Sequence, residues 1–404
     1  MSGSLKVVSA TAAGANPAAE RNALAVRRLS LGDFRCYAGL RLDVDGRPVV
    51  LTGANGAGKT NLLEAISFLS PGRGLRRARL AEPTRRDAPN LESTWAVHAA
   101  LDGLSGPVEI GTGLVRDGAG EADGTDRRVV KIDGQVAIGP SALAEVMSLV
   151  WLTPQMDRLF LEGASGRRRF LDRLVFGLDP SHASASAAYD KAMRERTRLL
   201  KSGGADPLWL SALEDTMAQW GVAVAAARRA GVAQLSAAMD AAECGAIGAF
   251  PRAHLSVAGL LEAWLGEMPA GDAEDRFRAA LNQNRLRDTE AGGATEGPHR
   301  SDLRVTHTAK DMPAEQCSTG EQKALLIGIV LANARLQAAR RAAVPVLLLD
   351  EVAAHLDGVR RAALFEALLD LGAQAWLTGT DIGLFEGFGS GAQFFTVRDG
   401  RLIG

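Results

Sequence analysis

The octapeptide Gly53-Ala54-Asn55-Gly56-Ala57-Gly58-Lys59-Thr60 constrains this chain more than any other feature. It fits G-x-x-x-x-G-K-[ST], follows the short apolar run Pro48 to Thr52, and precedes a stretch from Asn61 to Leu69 that is apolar at Leu62, Leu63, Ile66 and Leu69. An ordinary glycine-rich turn with a surface lysine would need neither the strand before it nor the helix after it. In the order strand, loop, helix, the glycines let backbone N–H groups converge on phosphate oxygens, and the helix N-terminus adds positive potential. Lys59 is then set to reach the β- and γ-phosphates of a nucleotide, and the Thr60 hydroxyl to ligand Mg2+. The fold this demands is α/β.

A second acidic element answers the first. Val346-Leu347-Leu348-Leu349 reads as a buried strand that ends in Asp350 and Glu351, at the end of the strand where doubly wound sheets place ligands. Acids also suit the start of a following helix. With a phosphate loop in the same chain, Asp350 is expected in the Mg2+ shell and Glu351 beside the attacking water. Upstream of it, Ser318-Thr319-Gly320-Glu321-Gln322-Lys323 opens a long apolar helix from about Gly320 to Ala339. A serine and a glycine at a helix N-terminus make an anion site, and Ser318 or Thr319 with Gln322 fits a capping box as well.

The 404 residues leave room for two or three domains. Residues 1–23 are small and polar and predict a short disordered tail; they lack the apolar segment of a signal peptide. From Leu24 to about 165 the chain alternates in strand fashion, with runs Trp95 to Leu101, Val108 to Val115 and Arg128 to Ile132 forming an antiparallel layer. Residues 166–296 are rich in Ala, Arg and Leu at helical spacing and predict a helical lobe, too interrupted for a long coiled coil. Residues 297–404 return to a β/α pattern. The first and last segments together predict one nucleotide-binding head interrupted by the lobe.

A hydrophobic content of 47% excludes a chain disordered throughout. No apolar run reaches the ~18 residues a membrane helix needs. A cytoplasmic protein without a membrane partner is predicted. The three cysteines, Cys36, Cys244 and Cys317, are too scattered for a disulfide framework or a structural zinc site. Lys and Arg total 46 against 47 acids, so a polyanion would be held by local patches only. The richest such patch holds Arg73, Arg76, Arg77 and Arg79, followed by Arg85 and Arg86; a second stripe, Lys191, Arg194, Arg198 and Lys201, also fits a solvated helix face. With 5% aromatic residues, contact to the backbone of duplex DNA is expected in place of base stacking.

The Ser318 segment resembles the signature motif of ABC-type ATPases, and the whole arrangement resembles the head of the SMC-type ATPase group, in particular its RecF family. Asp33-Phe34-Arg35-Cys36-Tyr37 is similar to an early F-R-x-Y element, Thr60-Asn61-Leu62-Leu63-Glu64-Ala65 to that family's phosphate-loop helix, and Gly297-Pro298-His299-Arg300-Ser301-Asp302-Leu303 to its G-P-H-R-x-D-L segment. Arg167-Arg168-Arg169-Phe170-Leu171-Asp172 matches its R-R-x-F-L-D run, Gln155 stands where a Mg2+-sensing glutamine would, Leu356-Asp357 resembles the D-loop, and Thr378-Gly379-Thr380 the switch segment. Glu351 replaces an aspartate common in the family, and His355 an acid.

The resemblance implies an ABC-type ATPase head binding ATP at residues 53–61 with Arg35. It implies Ser318 and Gly320 supplied by a second subunit, Asp357 at the dimer contact, and Lys59 and Glu351 as the catalytic pair. It further implies a weak ATPase that dimerises on MgATP, binds gapped or junction DNA, and assists RecA loading with RecO and RecR. A transporter's nucleotide-binding subunit and a structural SMC-like ATPase share the head. The former keeps Lys59 and Ser318 far closer than the well over half a chain that separates them here, and the latter carries long heptads.

Overall fold

The computed structural model describes residues 22–87, 94–116, 126–203, 206–240 and 246–403. Of the tail expected over 1–23, residues 1–21 lie outside this set, while Asn22–Ala23 pair in parallel with Ala343–Val344.

The centre is a six-stranded sheet in the order Arg401–Ile403, Gln393–Arg398, Val49–Thr52, Ala375–Gly379, Val346–Leu349, Leu149–Leu152, parallel except at the first pair. Val346–Leu349 is apolar at every position, and Val49–Thr52 and Ala375–Gly379 are buried along their whole length, because both faces are covered. Side-chain alternation sorts them: Leu347 and Leu349 face a core shared with helices Ala164–Leu178, Thr319–Arg341 and Gly358–Leu371. Val346 and Leu348 face the helix Lys59–Ser67 and the second sheet.

That second sheet is the expected antiparallel layer, in the order Tyr37–Asp43, Ala25–Phe34, Ala96–Gly103, Gly106–Arg116, Asp126–Ile132, Gln135–Val136. Gln374 fastens the two sheets: its buried amide accepts from Val26 N–H at 2.8 Å and donates to the carbonyls of Val26 and Asp45 at 2.8 and 2.7 Å. The architecture is an ABC-type ATPase head.

The helical segment differs from its expected form in two ways. One helix, Pro207–Asp240, runs 34 residues without interruption. Two glycines inside it are close contacts: a Cβ on Gly221 would sit 2.9 Å from the Phe277 ring, and one on Gly231 would sit 2.8 Å from Val175. Its middle packs in a small separate core with Tyr189, Phe277 and Leu281, while its end, at Val232, Leu235 and Met239, enters the core of the head. Further, the strand Ala253–Ala258, within the 166–296 segment, pairs antiparallel with Asp302–His307 beyond it. The segment 166–296 is therefore tied into the head by the helices Ala164–Leu178 and Pro207–Asp240, which both enter its core, and by one shared sheet. No helix among the described residues is long and apolar enough to cross a membrane.

Candidate nucleotide site

The phosphate loop joins the strand Val49–Thr52 to the helix Lys59–Ser67, as its pattern predicts. Gly53 and Gly58 have φ of +141° and +116°, and a Cβ would lie 2.2 Å from the Val397 carbonyl oxygen at the first and 2.8 Å from Cys36 Sγ and Tyr37 Oη at the second. Tyr37 explains the second crowding: it is buried and donates its hydroxyl to the Gly58 carbonyl at 3.1 Å. Ala54, Asn55 and Gly56 form the exposed crest of the loop, and Ala57 is buried under it.

Lys59 curls back over this loop, donating to the carbonyls of Gly53 at 2.7 Å and Ala54 at 2.9 Å. Only 4% of it is exposed; burial pushes its ammonium down, opposed by the charges of Glu351 and Asp350. The next side chain makes the central contact: Thr60 donates to Asp350 Oδ1 at 2.9 Å. Asp350 lies at the end of Val346–Leu349, two strands away, and the same oxygen accepts from Thr378 Oγ1 at 2.7 Å. Thr378 in turn accepts from the backbone N–H of Glu351 at 2.9 Å, at a residue with φ of +52°. Asp350 is 6% exposed, and burial pushes its carboxyl above the usual range, opposed by the two threonine hydroxyls and reinforced by Glu351.

Three strand ends thus meet at one carboxylate, because parallel pairing sets Leu349 beside Leu377 and Thr378 beside Leu51. In the sequence Thr378 stands out only as part of the segment that resembles a switch. Its signal in the sequence was a hydroxyl at the end of an apolar strand.

Other residues fall into place differently. Arg35, with φ of +54°, forks onto Glu64 at 2.9 and 2.6 Å; Arg76 bonds the same carboxylate at 3.1 Å and Asn61 Oδ1 at 2.8 Å. Glu64 is fully buried under the loop helix. Both arginines, one expected at the nucleotide and the other at DNA, are therefore engaged in neutralising this acid. Arg73, Arg77 and Arg79 are exposed and make no salt bridge among the described residues.

Gln155 is exposed in the short helix Pro154–Arg158, directly after the edge strand next to Asp350. Nearby Lys323, buried on the signature helix, pairs with Asp157 at 3.6 Å; burial pushes its ammonium down, opposed by Asp157 and Glu351. Ser318 caps the helix Thr319–Arg341 in a reciprocal box with Glu321. The structure thus selects Ser318 with Glu321 over the pairing that involved Gln322, whose amide donates to the Cys317 carbonyl at 2.8 Å. Ser318 and Gly320 are exposed, and a Cβ on Gly320 would meet nothing within 4 Å. Asp357, also exposed, caps Gly358–Leu371 by accepting from Arg360 N–H at 2.9 Å.

The two arginine-rich and G-P-H-R segments meet each other away from the loop. Arg167 forks onto Asp302 at 2.7 and 2.8 Å, Arg168 donates to the Ser301 carbonyl at 2.6 Å, and Arg228 joins Asp172 to the Pro298 carbonyl. These contacts join the helices Ala164–Leu178 and Pro207–Asp240 to the segment that opens the strand Asp302–His307.

Residues 25–399 match the family described as RecF/RecN/SMC N terminal domain. The chain is similar to the DNA replication and repair protein RecF of Rhizobium meliloti (strain 1021), with 51% identity over 377 residues, covering 93% of this chain and 98% of that protein. It is 52% identical over 377 residues to the protein of the same description from Mesorhizobium japonicum, covering 93% and 97%. A solved structure of the recombination mediator protein RecF with ATP, in the RecFOR pathway, superposes with a TM-score of 0.75 at 21% identity, covering 95% of this chain and 98% of that one. That likeness carries the fold alone.

Proposed function

This chain belongs to the RecF family of DNA replication and repair proteins, and from that premise we propose that it is an ATP-switched recombination mediator: an ABC-type ATPase that closes into a dimer on MgATP and grips DNA at gaps or duplex junctions. The observation that carries this reading is the buried Asp350 carboxylate, which accepts from Thr60 of the phosphate loop and from Thr378.

The residues fit a magnesium nucleotide. The loop is a cradle that a Cβ at Gly53 or Gly58 would fill, and the second oxygen of Asp350 takes no hydrogen bond among the described residues. Thr60 and Asp350, with Gln155, would hold the magnesium, and Asn61 closes the loop's first helical turn. Magnesium, when bound, supplies positive charge against the β- and γ-phosphates.

On this reading Lys59 exchanges the Gly53 and Ala54 carbonyls for phosphate oxygens, which give its ammonium stronger, charged acceptors. Glu351, its backbone anchored by Thr378, orients the attacking water. Ser318 and Gly320 reach the γ-phosphate held by the opposite head, and Asp357 lines the dimer contact. Arg73, Arg77 and Arg79 meet DNA phosphates; Arg76 is committed to Glu64 and Arg35 acts with it beneath the loop. The head comprises residues 24–165 and 297–404, with 166–296 as the lobe joined to it. The protein works in the cytoplasm with RecO- and RecR-type mediators to load RecA onto gapped DNA.

Sedimentation of wild type, Lys59→Met and Ser318→Arg, with and without MgATP and a gapped duplex, tests the scheme. Only the wild type is expected to dimerise on MgATP and to bind the duplex as it does so. Three monomers, or equal DNA binding whatever the nucleotide, would overturn it.

A further inference from the structure

The Ser318 hydroxyl is already engaged. It lies 2.8 Å from Glu321 Oε2, an ionised carboxylate oxygen, so the single hydroxyl proton is donated there. The same oxygen accepts from Ser318 N–H at 3.0 Å, and Glu321 N–H returns to Ser318 Oγ at 3.4 Å. The other oxygen of Glu321 takes the ammonium of Lys310. The Lys310 and Ser318 contacts hold the Glu321 carboxyl down to about 2. Lys310 ends the turn Thr308–Lys310, directly after the strand Asp302–His307 that pairs with Ala253–Ala258 from the helical segment. A lysine in the turn between two strands of the sheet that Ala253–Ala258 joins therefore grips the cap of the signature helix.

Two consequences follow from elementary chemistry. A hydroxyl that gives its proton to a carboxylate has none left for a phosphate. A carboxylate in the first turn also repels an incoming phosphate unless a cation compensates it. We propose that Glu321 and Lys310 act as an opposed pair that positions Ser318: Glu321 restrains the serine and opposes the phosphate of a second head, and Lys310 relieves that opposition. This inference rests on the reading that Ser318 meets the nucleotide of the opposite subunit. Lys310 and Glu321 are positioning residues; neither touches the phosphate loop of its own chain.

The test is the MgATP-dependent dimerisation constant of the full chain, measured by analytical ultracentrifugation, with ADP affinity and thermal midpoint as controls. Glu321→Gln keeps the S-x-x-Q form of the capping box but turns a charge-assisted acceptor into a neutral one, so the dimer should tighten by roughly tenfold. Lys310→Met leaves the carboxylate uncompensated and should weaken the dimer by roughly tenfold, and Lys310→Arg should restore it. ADP affinity and thermal midpoint should stay at wild-type values in all three. Wild-type dimerisation with Glu321→Gln and Lys310→Met unmoved, or moved together in step with a lost midpoint, sinks this inference and leaves the ATP switch standing. A wild type that stays monomeric on MgATP sinks both.

Discussion

Asp350 keeps a carboxylate where a carboxylate is costly. Burial raises its folded pKa above the unfolded value, so its favourable contribution to folding is present below the unfolded pKa and lost as pH rises through the folded one. At neutral pH the ionised group opposes folding, as expected of a site kept for a cation. Asp350→Asn keeps an oxygen for Thr60 and Thr378, so it is expected to raise the thermal midpoint of the nucleotide-free protein while abolishing the further rise on adding MgATP. Scanning fluorimetry with and without MgATP checks both halves, and a lower midpoint without nucleotide contradicts the first. At this scale Lys59, Thr60 and Asp350 were legible because motif spacing encodes them. Thr378 was not, because only sheet pairing brings it to Asp350. Arg35 and Arg76 were legible as cations, but their partner Glu64 looked like one more polar position on a helix, and its complete burial is a property of what packs around it.

The helix Pro207–Asp240 shows where local propensity and packing part. Glycine costs about 1 kcal/mol relative to alanine in a helix interior, so by propensity alone Gly221→Ala should stabilise. Here the added methyl would meet the Phe277 ring at 2.9 Å and the Tyr189 ring at 3.2 Å, inside the small core that organises the helical segment. Overpacking of that kind typically costs about 1–3 kcal/mol, so the substitution is expected to lower stability. Urea unfolding monitored by circular dichroism would show a midpoint below wild type; a higher midpoint would mean the rings move aside freely. Strands and helices of the head lie close to where periodicity set them. The helical segment's length did not, since a glycine that breaks a helix and a glycine that lets two helices touch look alike in one dimension.

Across the whole molecule, 46 basic and 47 acidic residues nearly cancel, so any hold on DNA comes from arginines that the fold leaves unpaired. Arg73, Arg77 and Arg79 meet that condition among the described residues, whereas Arg76 and Arg85 are bound to Glu64 and Asp33. Replacing those three by serine while keeping Arg76 should weaken binding to a gapped duplex and flatten its dependence on salt. The slope of log K against log salt falls by about 0.9 for each arginine that contacts a phosphate. Fluorescence anisotropy across a salt series measures it, and an unchanged slope would send the search for the DNA surface elsewhere.

By itself the sequence determined the phosphate loop, the acid-tipped strand, the capped signature helix and the alternation of sheet and helix, since each depends on residues near one another in the chain. Tertiary structure alone decided which cations remain free and which are consumed, that Gly221 and Gly231 are contacts within a continuous helix, and that the segment 166–296 shares a core and a sheet with the head. Those outcomes hang on pairings between distant segments, such as Arg167 with Asp302 and Arg35 with Glu64, and burial turns such pairings from optional into obligatory.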